Sequence, residues 1–118
     1  MYKLIFIFLS FSLFCRAQQN EFEKYGPFGS QIHTDLKVAL EIEKNVYKMD
    51  LSYKKLEPKL YAKLGKLKDL QALKLSGNEI NSYPPGFGEL YNLLYFASYN
   101  NEFTSFPPDL KKLGNLNY

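Results

Sequence analysis

Residues 70–80 have the sequence LQALKLSGNEI, which contains the clearest structural pattern in the chain. Leucines occupy positions 1, 4 and 6 of this stretch, asparagine position 9 and isoleucine position 11. Leu73 and Leu75 lie on one face of a short strand, because side chains of an extended chain alternate between two faces. Asn78 follows where the chain must turn. The stretch therefore predicts a short buried strand that ends in an asparagine turn.

The same frame recurs on both sides of this stretch. It begins 24 residues earlier at Val46 and 23 residues later at Leu93, and Leu116 opens a further unit. The units cover 46–69, 70–92 and 93–115, with 116–118 as a partial fourth. The core predicted from these units is Val46, Met49, Leu51, Leu56, Leu70, Leu73, Leu75, Ile80, Leu90, Leu93, Phe96 and Phe103.

Residues 46–118 resemble the leucine-rich repeat family, in a bacterial type with repeats of about 23 residues. The resemblance implies an α/β leucine-rich-repeat solenoid with short parallel β-strands on its concave face. It also implies that Asn78 and Asn101 satisfy backbone groups inside the turns, where an unpaired group is costly. Pro84-Pro85 and Pro107-Pro108 recur in register and cannot extend a sheet.

Two units depart from this frame. Lys54 replaces the turn asparagine in the first unit, so we expect that turn to be open to solvent. The first unit also has an extra residue after Leu56 and only Pro58 in place of the proline pair. In the third unit Ser98 replaces a leucine, which predicts either a looser core or filling of that space by Phe96.

Residues 1–17 are typical of a secretory signal peptide. Lys3 precedes the eleven-residue apolar run Leu4–Phe14, and Ala17 offers a small residue for cleavage before Gln18. The run is shorter than the ~20 apolar residues that span a bilayer. We therefore expect cleavage after Ala17 and export to the periplasm, cell surface or medium, with no transmembrane segment afterwards. An uncleaved form, or one lipidated on Cys15, is the alternative.

Residues 18–33 are polar and contain Gly and Pro breakers, which predicts a flexible lead-in. Residues 34–45 follow as a short helix. Thr34 is its predicted N-cap, Asp35 lies in the first turn, and Asn45 suits a left-handed stop. We expect part of the lead-in to dock on the domain through its aromatic residues Phe22, Tyr25 and Phe28.

The helix has an apolar face made of Leu36, Ala39 and Leu40. We interpret it as an N-terminal cap, because the first coil of a solenoid otherwise exposes its apolar edge. A functional amphipathic helix is the alternative.

Charge and composition exclude several functions. Residues 18–118 carry 13 Lys against 12 Asp plus Glu, a net charge of +1, and no Arg. This composition argues against nucleic-acid binding. His33 is the one histidine and Cys15 the one cysteine, and no catalytic or phosphate-binding motif is present. We therefore expect no enzyme activity, no cofactor and no metal site.

The informative surface is the strand face, formed by positions 3, 5 and 7 of each unit. It places Asp50 beside Lys74 as an expected cross-strand ion pair. Exposed tyrosines often bind partners, although tyrosine also simply suits strand surfaces. The predicted protein-binding residues are Tyr95, Tyr99, Lys48, Asp50 and Lys74.

These features predict a secreted recognition scaffold that binds a protein partner and is part of a longer repeat protein. The alternative is an N-terminal repeat appendage of a secreted enzyme whose catalytic domain lies elsewhere. Because three units leave an apolar edge at their end, we also expect self-association there. That edge comprises Phe96, Phe103, Leu110 and Leu113.

Overall fold

Four short strands run parallel, side by side, in the order in which they occur along the chain. The computed structural model describes Phe22 and residues 24–104, which form a small compact α/β domain with two α-helices. The strands are β1 (Ile32–His33), β2 (Lys48–Asp50), β3 (Ala72–Lys74) and β4 (Tyr95–Ala97). The signal-peptide prediction for residues 1–17 and the partial unit 116–118 lie outside the described residues.

The register of the sheet follows the period of the sequence. Met49 pairs with Leu73, and Leu73 pairs with Phe96, so successive strands are offset by 24 and then 23 residues. The predicted short parallel strands are therefore confirmed, with the predicted residues opposite one another. All three of these side chains are buried in one apolar core.

Strand β1 was not predicted. Ile32 pairs with Lys48 and His33 with Met49, so the end of the expected flexible lead-in forms the first strand of the sheet. A strand of two residues has too little hydrophobic alternation to be recognised in the sequence. Its pairing with the edge of β2 decides its conformation instead.

Helix α1 (Leu36–Ile42) follows β1 and packs on the edge of the core. Its N-cap is Asp35, whose Oδ1 accepts a hydrogen bond from the Val38 amide at 3.2 Å, so the prediction of Thr34 as N-cap is wrong. The helix ends at Ile42 with Glu43 as its C-cap at a φ of 56°, so the prediction of Asn45 as the stop is wrong, although Asn45 also has a positive φ of 63°. Leu36 and Ala39 are buried and Leu40 packs against the core, as predicted.

Each of the three longer strands is followed by a residue in the left-handed region. Tyr53, Gly77 and Asn100 have φ angles of 55°, 72° and 58° and are spaced by 24 and 23 residues. Glycine and asparagine adopt this conformation readily, whereas a tyrosine does so at a cost. The turn after the strand therefore has the same handedness in all three units.

The connections between strands return through short helices. After β2 the chain forms helix α2 (Pro58–Tyr61) and a 3-10 helix at Leu64–Lys66; after β3 it forms a 3-10 helix at Phe87–Glu89. The two 3-10 helices lie side by side. A Cβ atom at Gly65 would lie 2.7 Å from the Pro85 carbonyl oxygen, so this packing requires glycine.

The core contains most of the predicted residues and several others. Of the predicted set, Leu56, Ile80 and Phe103 are half-buried and the remainder are buried. Buried apolar residues outside that set include Leu64, Leu67 and Phe87 on the return segments. These were missed because 3-10 turns have no clear hydrophobic period.

An aromatic cluster joins the second unit to the third, in which Ser98 replaces a leucine. The Phe96 ring lies 5.1 Å from Phe87, and Tyr83 stacks on Phe103 at 4.3 Å. This favours the expectation that Phe96 fills the space. Phe96 is buried and Phe103 half-buried, and Leu110 and Leu113, the other two residues of the expected apolar edge, lie outside the described part of the chain.

Candidate functional site

The turn asparagines connect neighbouring units through their amide groups. Asn78 Nδ2 donates to the carbonyl of Leu51 at 2.8 Å in the preceding unit and to that of Leu75 at 2.9 Å in its own. Lys54, which replaces the asparagine of the first unit, is exposed as expected. Asn78 thereby supplies the Leu51 carbonyl with the donor that the first turn lacks.

Asn101 repeats this arrangement one unit later. Its Nδ2 donates to Leu75 O at 2.7 Å and to Ser98 O at 3.1 Å. Its Oδ1 accepts from the amides of Asn78 and Ile80, each at 3.0 Å. The role of Asn78 and Asn101 in satisfying backbone groups agrees with what the family resemblance implies.

Less of the strand face reaches solvent than the sequence predicted. Lys48 is only 2% exposed, and Ala72 is completely buried. Asp50, Lys74 and Tyr95 are half-buried. The face is therefore partly covered, although its residues lie together as the sequence placed them.

The cover is the N-terminal segment, which we define as Phe22 with residues 24–30. Phe22 meets the Tyr95 ring edge-on at 6.1 Å, and Tyr25 lies 5.5 Å from the same ring. The Gly26 amide donates to Gln71 Oε1 at 2.9 Å. Phe22 and Tyr25 are buried as a result, so the lead-in docks through two of the three aromatics named from the sequence. Phe28, the third, is fully exposed.

The expected ion pair between Asp50 and Lys74 does not form, although the two residues are paired in the sheet. Lys74 Nζ lies over the Phe22 ring, 4.5 Å from its centroid. Asp50 Oδ1 accepts a hydrogen bond from the Ser52 amide at 3.0 Å. Within residues 22 and 24–104 the one salt bridge joins Lys68 to Glu89.

Two tyrosines remain exposed beyond the carboxyl ends of the strands. Tyr99 is 66% exposed and Tyr53 is 72% exposed. The Tyr53 ring packs directly against Gly77, and its hydroxyl lies 3.5 Å from Asn100 Nδ2. We call Tyr53, Tyr99 and Asn100 the tyrosine edge. Tyr53 was missed because it lies at position 8, outside the alternating positions assigned to the strand face.

The described residues contain no cluster of three or more His, Cys, Asp or Glu side chains suited to a metal ion. Among the same residues, no helix has the length and apolar character needed to cross a membrane. His33 lies in β1. Comparison with known protein families and with curated proteins finds no match to this sequence.

Proposed function

We propose that this protein is an exported leucine-rich-repeat protein that recognises a protein partner. The repeat assignment is supported by strand registers of 24 and 23 residues, which equal the sequence offsets. The left-handed residue after each strand and the asparagine amides recur with the same spacing. The proposal assigns the protein a binding role and no catalytic one.

The tyrosine edge carries the functional part of the proposal. Exposed aromatic side chains offer a large contact area with few rotatable bonds, and tyrosine is enriched at binding hot spots. Tyr53 keeps a left-handed backbone that costs a bulky residue about 1–3 kcal/mol, and such strain is common at binding sites. Of the five residues predicted to bind, Tyr99 is the one with a largely exposed side chain.

The proposed partner therefore docks at Tyr53 and Tyr99, with Asp50 and Lys74 along one side. Tyr95 is no longer at the centre of the site, because Phe22 and Tyr25 already contact its ring. Lys48 is likewise buried too deeply to contact a large partner on this face.

Site-specific photo-crosslinking in the producing cells tests this proposal. A photoreactive phenylalanine analogue is placed at position 53 or 99, and at the equally exposed Tyr91 as a matched control. We expect a discrete crosslinked protein from positions 53 and 99 but not from 91. Replacing both tyrosines by serine should then weaken binding of that protein by about tenfold or more. Equal crosslinking from all three positions, or an unchanged Kd, would contradict the proposal.

Export is tested separately by the intact mass of the protein recovered from the cell exterior or periplasm. We expect the mature chain to begin at Gln18. A mass that includes residues 1–17, or a lipid on Cys15, would contradict cleavage after Ala17.

A further inference from the structure

An open pocket of about 460 Å³ lies where the N-terminal segment meets the edge of the sheet. It is separate from the tyrosine edge, which lies beyond the carboxyl ends of the strands. Its size falls within the range of small-molecule sites. Its lining residues are Phe28, Gly29, Ser30, Ile32 and Lys48.

Lys48 is the unusual member of this lining. It is 2% exposed, yet no carboxylate among the described residues lies within ion-pairing distance of its ammonium group. Burying an ammonium group without a compensating charge is costly, so buried charges in proteins are normally paired. The Lys48 stem is enclosed, but its nitrogen is not among the fully buried polar atoms without a partner, so the ammonium group meets the solvent of the pocket and can pair there with an anion.

Ser30 supplies a second unsatisfied group. Its hydroxyl is buried and has no hydrogen-bond partner, although the residue lines the same pocket. Rotation about χ1 allows a serine hydroxyl to donate to a neighbouring acceptor. The pocket thus combines one positive charge with one free hydroxyl donor.

Among the described residues, the rest of the lining consists of two apolar side chains and a glycine. Ile32 is half-buried, and Phe28 is exposed. No heavy atom lies within 4 Å of the position that a Cβ atom would occupy on Gly29, so this side admits a ligand.

We propose that this pocket binds a carboxylate attached to a small apolar group. The carboxylate accepts hydrogen bonds from Lys48 Nζ and Ser30 Oγ, while the apolar group packs against Ile32 and Phe28. One ammonium group balances a single negative charge, whereas a phosphate dianion leaves a charge uncompensated. The proposal does not depend on the protein partner assigned to the tyrosine edge.

A second pocket among the described residues supports no such ligand. It lies between α1 and the turn that follows β2, and its volume is about 300 Å³. Its lysines, Lys37, Lys54 and Lys55, are exposed, and Asp35 and Glu57 line the same pocket. Solvent and these two acidic side chains already compensate the positive charge there.

The test is a titration of the full exported chain, followed by NMR, with 3-phenylpropionate and its neutral isostere 3-phenylpropionamide. We expect the carboxylate to shift the Gly29 and Ser30 amide resonances, and the amide to bind about tenfold more weakly or worse, because a charge-assisted hydrogen bond is lost. Inorganic phosphate is the third probe, and weaker binding than 3-phenylpropionate is expected.

Two variants identify the group responsible. Lys48→Met retains most of the apolar stem and should reduce carboxylate binding to the level of the amide, while Lys63→Met, at an exposed lysine, should change nothing. Methionine fills the space of the enclosed lysine stem, so a folded variant is expected. Ser30→Ala should weaken binding by a smaller factor.

Several results would overturn the proposal. They are equal affinities for the carboxylate and the amide, tighter binding of phosphate, unchanged binding by Lys48→Met, or no binding of 3-phenylpropionate up to about 10 mM. None of these results bears on crosslinking at the tyrosine edge.

Discussion

At the scale of single residues, side-chain alternation and hydrogen-bonding capacity explain most of what the sequence predicted. Met49 and Leu73 are buried because they are apolar and occupy the inward positions of strands. Asp35 and Thr34 show the limit of such reasoning. Both are good capping residues, and which of them caps depends on where the preceding strand releases the chain, which the local sequence does not determine.

Asn101 makes four hydrogen bonds through one amide group, two as donor and two as acceptor. Asn101→Ala leaves these partly buried backbone groups without their partners, which costs about 1–3 kcal/mol of unfolding free energy. Asn81→Ala, at an exposed asparagine, should change stability by no more than about 0.5 kcal/mol. Urea unfolding measures both, and coincident midpoints would show that the amide is not a structural link between units.

Tyr61 makes stability depend on pH in the alkaline range. Burial, and to a smaller extent Tyr83, raises the pKa of the Tyr61 hydroxyl, which donates to Ser82 O at 2.7 Å. The unfolded chain loses this proton near pH ~10 while the folded chain keeps it, so the free energy of unfolding falls as pH rises above that value.

The variant Tyr61→Phe isolates this contribution. At pH ~8 it should be less stable than the parent by about 0.5–1.5 kcal/mol because one hydrogen bond is lost. At pH ~11 the deficit should shrink. The unfolded parent then loses the Tyr61 proton that the folded parent keeps, and this destabilises the parent but not the variant. Tyr91→Phe, which removes an exposed hydroxyl, is the matched control. A deficit for Tyr61→Phe that stays constant between the two pH values would refute this account.

At the scale of elements, long periodic segments were predictable and short ones were not. Strands β2, β3 and β4 follow from the recurring apolar frame, and α1 from its apolar face. Strand β1 and the 3-10 helix at Leu64–Lys66 have too few residues to display a period. Their conformations depend on neighbours in space. Strand β1 pairs with the edge of β2, and the 3-10 helix packs against the backbone of Pro85 and Gly86.

The capping of α1 gives a direct comparison between adjacent residues. Asp35→Ala removes the side-chain acceptor of the Val38 amide and should cost about 0.5–2 kcal/mol. Thr34→Ala, at an exposed residue without a capping bond, should cost less than about 0.5 kcal/mol. Thermal unfolding of the two variants measures both losses. A larger loss of stability for Thr34→Ala than for Asp35→Ala would show that Thr34 is the N-cap.

At the scale of the whole molecule, the decisive contacts join residues far apart in the chain. Tyr25 covers Tyr95, and Gly26 bonds to Gln71. The sequence identified the aromatic residues of the lead-in and the tyrosines of the strand face separately. It did not indicate that one group covers the other, because no local pattern relates them. For this reason the candidate binding site is the tyrosine edge and is not centred on Tyr95, as the sequence predicted.

The offset between neighbouring strands of the sheet equals the period of the sequence repeat. Cross-strand nuclear Overhauser effects on the isotope-labelled full chain measure this register directly. We expect a parallel pattern that joins Lys48 to Ala72 and Ala72 to Tyr95, with the same 24- and 23-residue offsets for the neighbouring pairs. An antiparallel pattern, or a register shifted by even one residue, would contradict it, because such a shift moves the buried leucines to the opposite face.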